Sequence, residues 1–325
     1  MILRLPFVVV LFLLLATPAF AQALNGNSAP KKADAETTDE RPAQALFEDA
    51  NGYLGRRYQE FNKQNLPYDP KLEEKTKKEQ KELALRNAGI LRARPSLSNE
   101  DLYYLGMLYH LAEDADNALS TMRRLLKDNP DGVKAQSARN AVVLYSIRKG
   151  LTAEAVATVA DYGKYQPQSS DDRYRMEFLI ADAFLRAKDY PSVAKHASEM
   201  LAASKSFAVT NKSETFKRDD MLVKSGLLLS DAYVKSNQKE KAIAILEELR
   251  RLSLSLPSAN LYKRMTNRLL VIQPGLEPLK IFEDISALPA TAPPEIVATQ
   301  WIDQQPVKLS ELRGKVVLLD FWAPW

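Results

Sequence analysis

The side chains that most often carry catalytic or metal chemistry, cysteine and histidine, are scarce in this 325-residue sequence. It holds two histidines, His110 and His196, and no cysteine. Without a thiol, disulfides, thiolate metal sites and thiol catalysis are excluded from the chain as it stands. No Gly-x-Gly-x-x-Gly, phosphate-loop, His-Glu-x-x-His or Gly-x-Ser-x-Gly run is present, so nucleotide-binding, zinc-protease and serine-hydrolase readings have no anchor. His110 and His196 fall in different helical segments and read as packing or surface residues. The residues that stand out are Asp320, Trp322, Pro324 and Trp325, within GKVVLLDFWAPW, Gly314 to Trp325. From Val316 to Trp322 a single acid sits among β-branched, leucine and aromatic residues, the composition of a strand buried on both faces. On composition alone these four residues are a hydrophobic strand and its end, with no metal and no cofactor expected at them.

A buried strand needs elements to hold it. The text leading to this one is PPEIVATQWIDQQPVKLSELRGKVVLLDFWAPW, residues 293–325. It reads as an opening Pro294-Glu295, a short strand Pro306 to Leu309, a turn Leu309 to Lys315, then the strand Val316 to Phe321. In that order the stretch resembles the start of exported thioredoxin-like thiol-disulfide oxidoreductases of the TlpA type, in the alkyl hydroperoxide reductase/thiol-specific antioxidant superfamily. The resemblance implies a Cys-x-x-Cys directly after Trp325, Trp322 and Trp325 flanking the active-site turn, and Asp320 as a buried acid that takes the resolving thiol's proton. It also implies that the sequence is the N-terminal part of a longer exported oxidoreductase. A thiol peroxidase is the alternative within enzymes, and a non-enzymatic envelope scaffold or peptide-binding repeat protein is the alternative outside them.

The rest of the chain is built differently. Hydrophobic residues make up 46% and charged residues 26%, with 45 basic against 41 acidic side chains interleaved throughout. A net charge of +4 without a clustered basic face argues against nucleic acid as a partner. Glycine is scarce and apolar positions recur at helical spacing, which favours a mostly α fold. Arg4, the apolar run Leu5 to Ala16 and the small-residue pattern Ala19-Phe20-Ala21 read as a secretory signal peptide over residues 1–21. The apolar run is shorter than the roughly 20 residues that a span requires, so no stable membrane anchor is expected after cleavage, and the mature protein is expected in the periplasm or cell envelope. Residues 22–43 are polar, carry Pro30 and Pro42, and read as a disordered lead-in.

Helices are expected from Gln44. A first spans about Gln44 to Gln64, and a second is capped by Asp69 with Pro70 at its first position and runs to about Arg94. The alternating charges of Glu73 to Glu82 read as a solvated face. Beyond them Leu102, Leu105, Gly106, Tyr109, Ala118, Met122 and Pro130 lie at the spacings of the tetratricopeptide pattern. Gly106 and Ala118 would be small because two helices cross there. The offsets recur with Val142, Val143, Ser146, Ala155 and Pro167, then Ile180, Ala181, Phe184, Tyr190 and Val193, then Leu229, Ser230, Tyr233, Ala242 and Leu246. In each unit the aromatic position (Ser146 in the second) precedes a small or β-branched one by nine residues. These units resemble tetratricopeptide repeats, with a polar insertion around Ser204 to Ser213 before the fourth. A closing helix spans about Ala259 to Ile272. The expected domains are therefore a repeat array over 44–272, a proline-rich linker over 273–295 and the start of an α/β thioredoxin-like domain over 296–325. Protein or peptide clients on the array are the expected partners.

Overall fold

A computed structural model describes residues 39–256 and 258–275, together with 305, 307–312, 314, 315 and 317. Among the described residues the regular structure is helical, and the elements belong to the unit Arg41–Trp325. The helix starts use the capping residues in the sequence. Asp69 accepts the Lys71 N–H (2.9 Å) at the head of α3, Pro70–Arg92, with Pro70 in the first turn. Ser98 and Asp101 form a reciprocal capping box at α4, Asn99–Leu111: the Ser98 hydroxyl accepts the Asp101 N–H (3.1 Å) and the Asp101 carboxylate accepts the Ser98 N–H (2.9 Å). The segment expected as one helix before α3 is instead two, α1 (Ala43–Asn51) and α2 (Tyr53–Lys63), separated at Gly52. The apolar face of α1 carries the fully buried Leu46 and Ala50, whereas α2 has no fully buried residue and is held through half-buried Tyr53, which packs on the core and donates to Glu79 of α3 (2.8 Å).

Four helical hairpins follow: α4 with α5 (Ala115–Asp128), α6 (Ala135–Arg148) with α7 (Thr152–Tyr162), α8 (Ser170–Arg186) with α9 (Tyr190–Lys205), and α10 (Lys212–Lys235) with α11 (Lys239–Ser255). Each turn is closed in the same way. One residue takes a left-handed conformation, Glu113 (φ 58°), Gly150 (φ 74°), Lys188 (φ 58°) or Asn237 (φ 62°). The next N–H then reaches back to a carbonyl in the last turn of the first helix: Asp114 to Tyr109 (2.9 Å), Leu151 to Ser146 (2.8 Å), Asp189 to Phe184 (3.0 Å) and Gln238 to Tyr233 (2.8 Å). These acceptors are the four residues of the aromatic position. Nine residues on, Ala118, Ala155, Val193 and Ala242 are all fully buried. The sequence spacing is thus the geometry of one turn plus the first inward position of the second helix. The end of α2 repeats the device with Asn65 (φ 52°) and a Leu66 N–H to Phe61 O bond of 3.0 Å.

The core runs through the array as three successive clusters. The first joins α1, α3, α4, α5 and α6 around Leu46, Leu91, Leu108 and Met122. The second joins α6, α7 and α8 around Val143, Val159, Tyr162 and Ile180. The third joins α9 to α12 (Ala259–Ile272) around Leu222, Leu246, Leu261 and Met265. Burying each such side chain stabilises by about 2 kcal/mol. A Cβ on Gly106 would lie 2.6 Å from Met122 Cε, so α4 and α5 cross at this glycine as the repeat pattern requires. On Gly226 it would lie 2.3 Å from Leu249 Cδ1, a second close crossing, between α10 and α11.

The polar insertion expected around Ser204 to Ser213 is resolved differently. Ser204, in the last turn of α9, is fully buried, its hydroxyl donating to Met200 O (2.8 Å) and lying 3.2 Å from Ser225 Oγ of α10. The extra residues lengthen α10, whose first turn starts at Lys212. The expected strand from Pro306 to Leu309 is not formed at its described residues: Val307 and Lys308 have no regular structure and Leu309–Leu312 is a 3-10 turn followed by left-handed Gly314 (φ 80°). Of the strand expected from Val316 to Trp322, Val317 alone is described, and it is in no regular element. The signal peptide, most of the linker and the thioredoxin-like start otherwise lie outside the described residues.

Candidate functional site

Asp320, Trp322, Pro324 and Trp325 lie outside the described residues, so the site is sought on the array. Both histidines are engaged inside it. His110, near the end of α4, has Nδ1 2.7 Å from the Tyr145 hydroxyl of α6. Burial pushes the Tyr145 hydroxyl up to about 12, so it keeps its proton. Burial, with Arg148 nearby, holds His110 below the ordinary imidazole value, and its neutral ring is the acceptor. Among the described residues no group of three or more histidine or acidic side chains is placed to hold a metal ion.

His196, on α9, meets a charge cluster that the apolar pattern did not announce. Its Nδ1 lies 2.6 Å from Glu177 Oε2, Arg173 Nη2 lies 2.7 Å from Glu177 Oε1 and 3.1 Å from Glu199, and the Phe184 ring stacks on the imidazole at 5.5 Å. Arg139 of α6 is likewise fully buried. Its guanidinium donates to Asp161 (2.8 Å), Gln136 Oε1 (3.1 Å) and Pro130 O (2.7 Å), and lies 4.2 Å from the centre of the Tyr165 ring. A faint signal was present for both. Arg139 and Glu177 stand three residues before Val142 and Ile180, the position that Leu102 fills before Leu105, and a charge in so buried a place must bring its partners with it. Both centres tie helices together: Arg139 joins α6 to the loop after α5 and to α7, and His196 with Arg173 joins α8 to α9.

The outward face of the first helix differs among the later hairpins. On α6 it comprises half-buried Leu144 and Ile147 with exposed Arg148. On α8 it comprises Phe178, 44% exposed, and Leu185, 41% exposed, with Asp182 and Arg186 paired at 2.6 Å. On α10 the corresponding Leu227 and Val234 are packed against the third core cluster, Asp231 between them pairs with Arg268 of α12 at 2.6 Å, and Lys235 is exposed. The corresponding face of α4 is closed, with Tyr103 buried and His110 committed to Tyr145. On α8 this face therefore offers exposed apolar side chains beside a paired acid and base.

A tetratricopeptide-repeat family profile matches residues 102–132, the first hairpin and the loop after it. The chain therefore carries a tetratricopeptide-like helical repeat array, and the fold is helical over its described residues. Among solved structures, the apo form of RapI aligns with a TM-score of 0.40 at 12% identity, covering 71% of this chain and 69% of that one. BtubC (BKLC) from P. vanneervenii aligns with a TM-score of 0.39 at 11% identity, covering 82% of this chain and all of that one. No curated protein matches the chain.

Proposed function

We propose that this protein is an interaction scaffold whose helical hairpins hold a protein or peptide partner. The observation that carries the reading is the tetratricopeptide-like array itself, with Phe178 and Leu185 of α8 left exposed after the core is closed. Helical-hairpin arrays of this kind generally work by binding protein segments along such faces. Random peptides displayed on phage and selected on the purified chain test it: enrichment of sequences that bind saturably as synthetic peptides is expected, and selection without enrichment overturns the scaffold reading.

A second reading rests on the residues LSELRGKVVLLDFWAPW, 309–325. In it the array presents an exported client to a thioredoxin-like domain that begins near Ile296, with Asp320, Trp322, Pro324 and Trp325 around its active-site turn and both thiols beyond Trp325. The present chain has no thiolate to attack a disulfide and is expected to be silent in dithiol-disulfide exchange. A longer product of the same gene should be active and should lose activity when either cysteine is changed to serine. A longer product with both thiols and no disulfide reductase activity removes this reading and leaves the scaffold.

A further inference from the structure

Three side chains in line along α3 donate to the main chain of α1. Gln80 Nε2 reaches the Ala50 carbonyl (3.0 Å), Asn87 Nδ2 the Leu46 carbonyl (2.8 Å), and Arg94, just past the end of α3, the Arg41 carbonyl. Positions 80, 87 and 94 are spaced by about two helical turns, so the donors lie in a row and α1 runs antiparallel to them. The apolar side of α1 supplies the rest of the fit. Ala43, Leu46, Phe47 and Ala50 follow the spacing of one helix face and join the first core cluster, and the Phe47 ring meets Tyr104 of α4 at 5.7 Å. Between α3 and α4 the array thus forms a groove with donors for a helix main chain and apolar space for one stripe of side chains.

The stretch that joins α1 to α3 is held far less firmly. α2 buries no residue fully, residues 62–71 are all exposed, and Asn65 turns the chain in a left-handed conformation. Unfurled, residues 52–69 span about 60 Å, against the roughly 15 Å of helix between Pro70 and Gln80. One α1 can therefore lie in its own groove or in that of a neighbour with the same contacts. The segment that fits the groove is α1, and every copy of the chain carries it. We infer that the α3–α4 groove is a docking site for the α1 helix of a second copy of this chain, so that two chains join by exchanging α1. The exchange adds a mode of self-association to the scaffold reading and does not rest on it.

Light scattering on the whole chain tests the inference. Docking between copies competes with a tethered α1 whose effective concentration is about millimolar, so the dimer fraction should rise with protein concentration toward about 1 mM. Alanine at each of residues 65–70 removes both prolines, left-handed Asn65 and the Asp69 cap, which lets α2 and α3 run on as one helix. Residues 52–69 then add about 27 Å of helix ahead of α3 and carry α1 away from its own groove. This fused-helix variant should be a dimer at micromolar concentration with the parent's helical content, and Leu46→Asp should return it to a monomer. The chain has no cysteine, so Gln44→Cys on α1 and Arg86→Cys on α3, both exposed, take single labels. A fused-helix copy with a donor at 44 mixed with one carrying an acceptor at 86 should show energy transfer. A monomeric fused-helix variant, or a dimer without transfer, overturns the exchange. Should that variant fail to fold, the parent decides alone: a monomer throughout the concentration series overturns it. The scaffold reading stands or falls separately, with the phage selection.

Discussion

Arg139 shows how one side chain can hold two connections at once. Its fork joins Asp161 at the end of α7 to the Pro130 carbonyl after α5, and the planar group lies on Tyr165. Arg139→Met should cost about 3 kcal/mol, because the partners lose a buried charge matched to them. Arg139→Lys should recover little of this, since an ammonium cannot make the three divergent contacts of a guanidinium; chemical denaturation of both variants checks the order. His110 supplies a pH effect whose sign follows from its burial. The folded state binds its proton less readily than the unfolded chain, whose imidazole titrates near about 6.5, so the stability it contributes is present above that value and is lost as pH falls through the depressed folded value. His110→Gln keeps an acceptor for the Tyr145 hydroxyl and removes the titration. Its melting temperature should fall less than the parent's between about pH 7 and 5.

At the scale of the element, the hairpin is the unit that the sequence repeats. Gly106→Leu forces a branched side chain into the space of Met122 and should cost about 1 to 3 kcal/mol. Gly106→Ala should cost far less, because the atom it meets is the free end of a flexible methionine. Thermal melts of the pair separate a crossing from a loose contact, and an unchanged Gly106→Leu would mean that the crossing lies elsewhere. Of the four left-handed turn residues only Gly150 is a glycine, and Gly150→Ala should cost about 1 kcal/mol through the strain of a Cβ at positive φ. The repeat offsets were legible because they record packing and turn closure, both local. Gly52 was not read as a break, because the residues of α2 carry enough helical spacing to extend α1 on paper while burying none of them fully. Ser204 was grouped with the polar insertion that follows it because nothing in the local sequence shows Ser225 of another helix beside it.

The whole array is sustained by neighbour contacts, from α1 against α3 and α4 to α11 against α12. A piece spanning residues 41–275 should therefore fold alone, with a strongly helical spectrum and a cooperative melt. Ending it before Ala259 removes Leu261, Met265 and Leu269 from the third cluster and should lower the melting temperature and expose α10 and α11 to protease first. Among the described residues no helix is long and apolar enough to cross a membrane.

From the order of residues alone came the helical class, the caps at Asp69, the four repeat units with their nine-residue spacing, and the closing helix Ala259–Ile272. Each depends on interactions within a turn or a hairpin, where separation in sequence is also separation in space. Three-dimensional packing decided the rest: that Arg139 and Glu177 are buried, that His110 and His196 serve internal partners, and that α4 closes its outward face while α8 leaves Phe178 and Leu185 exposed. Those outcomes depend on which residues from distant helices arrive at the same place, and a charge or an aromatic ring is inward or outward only once its neighbours have taken their positions.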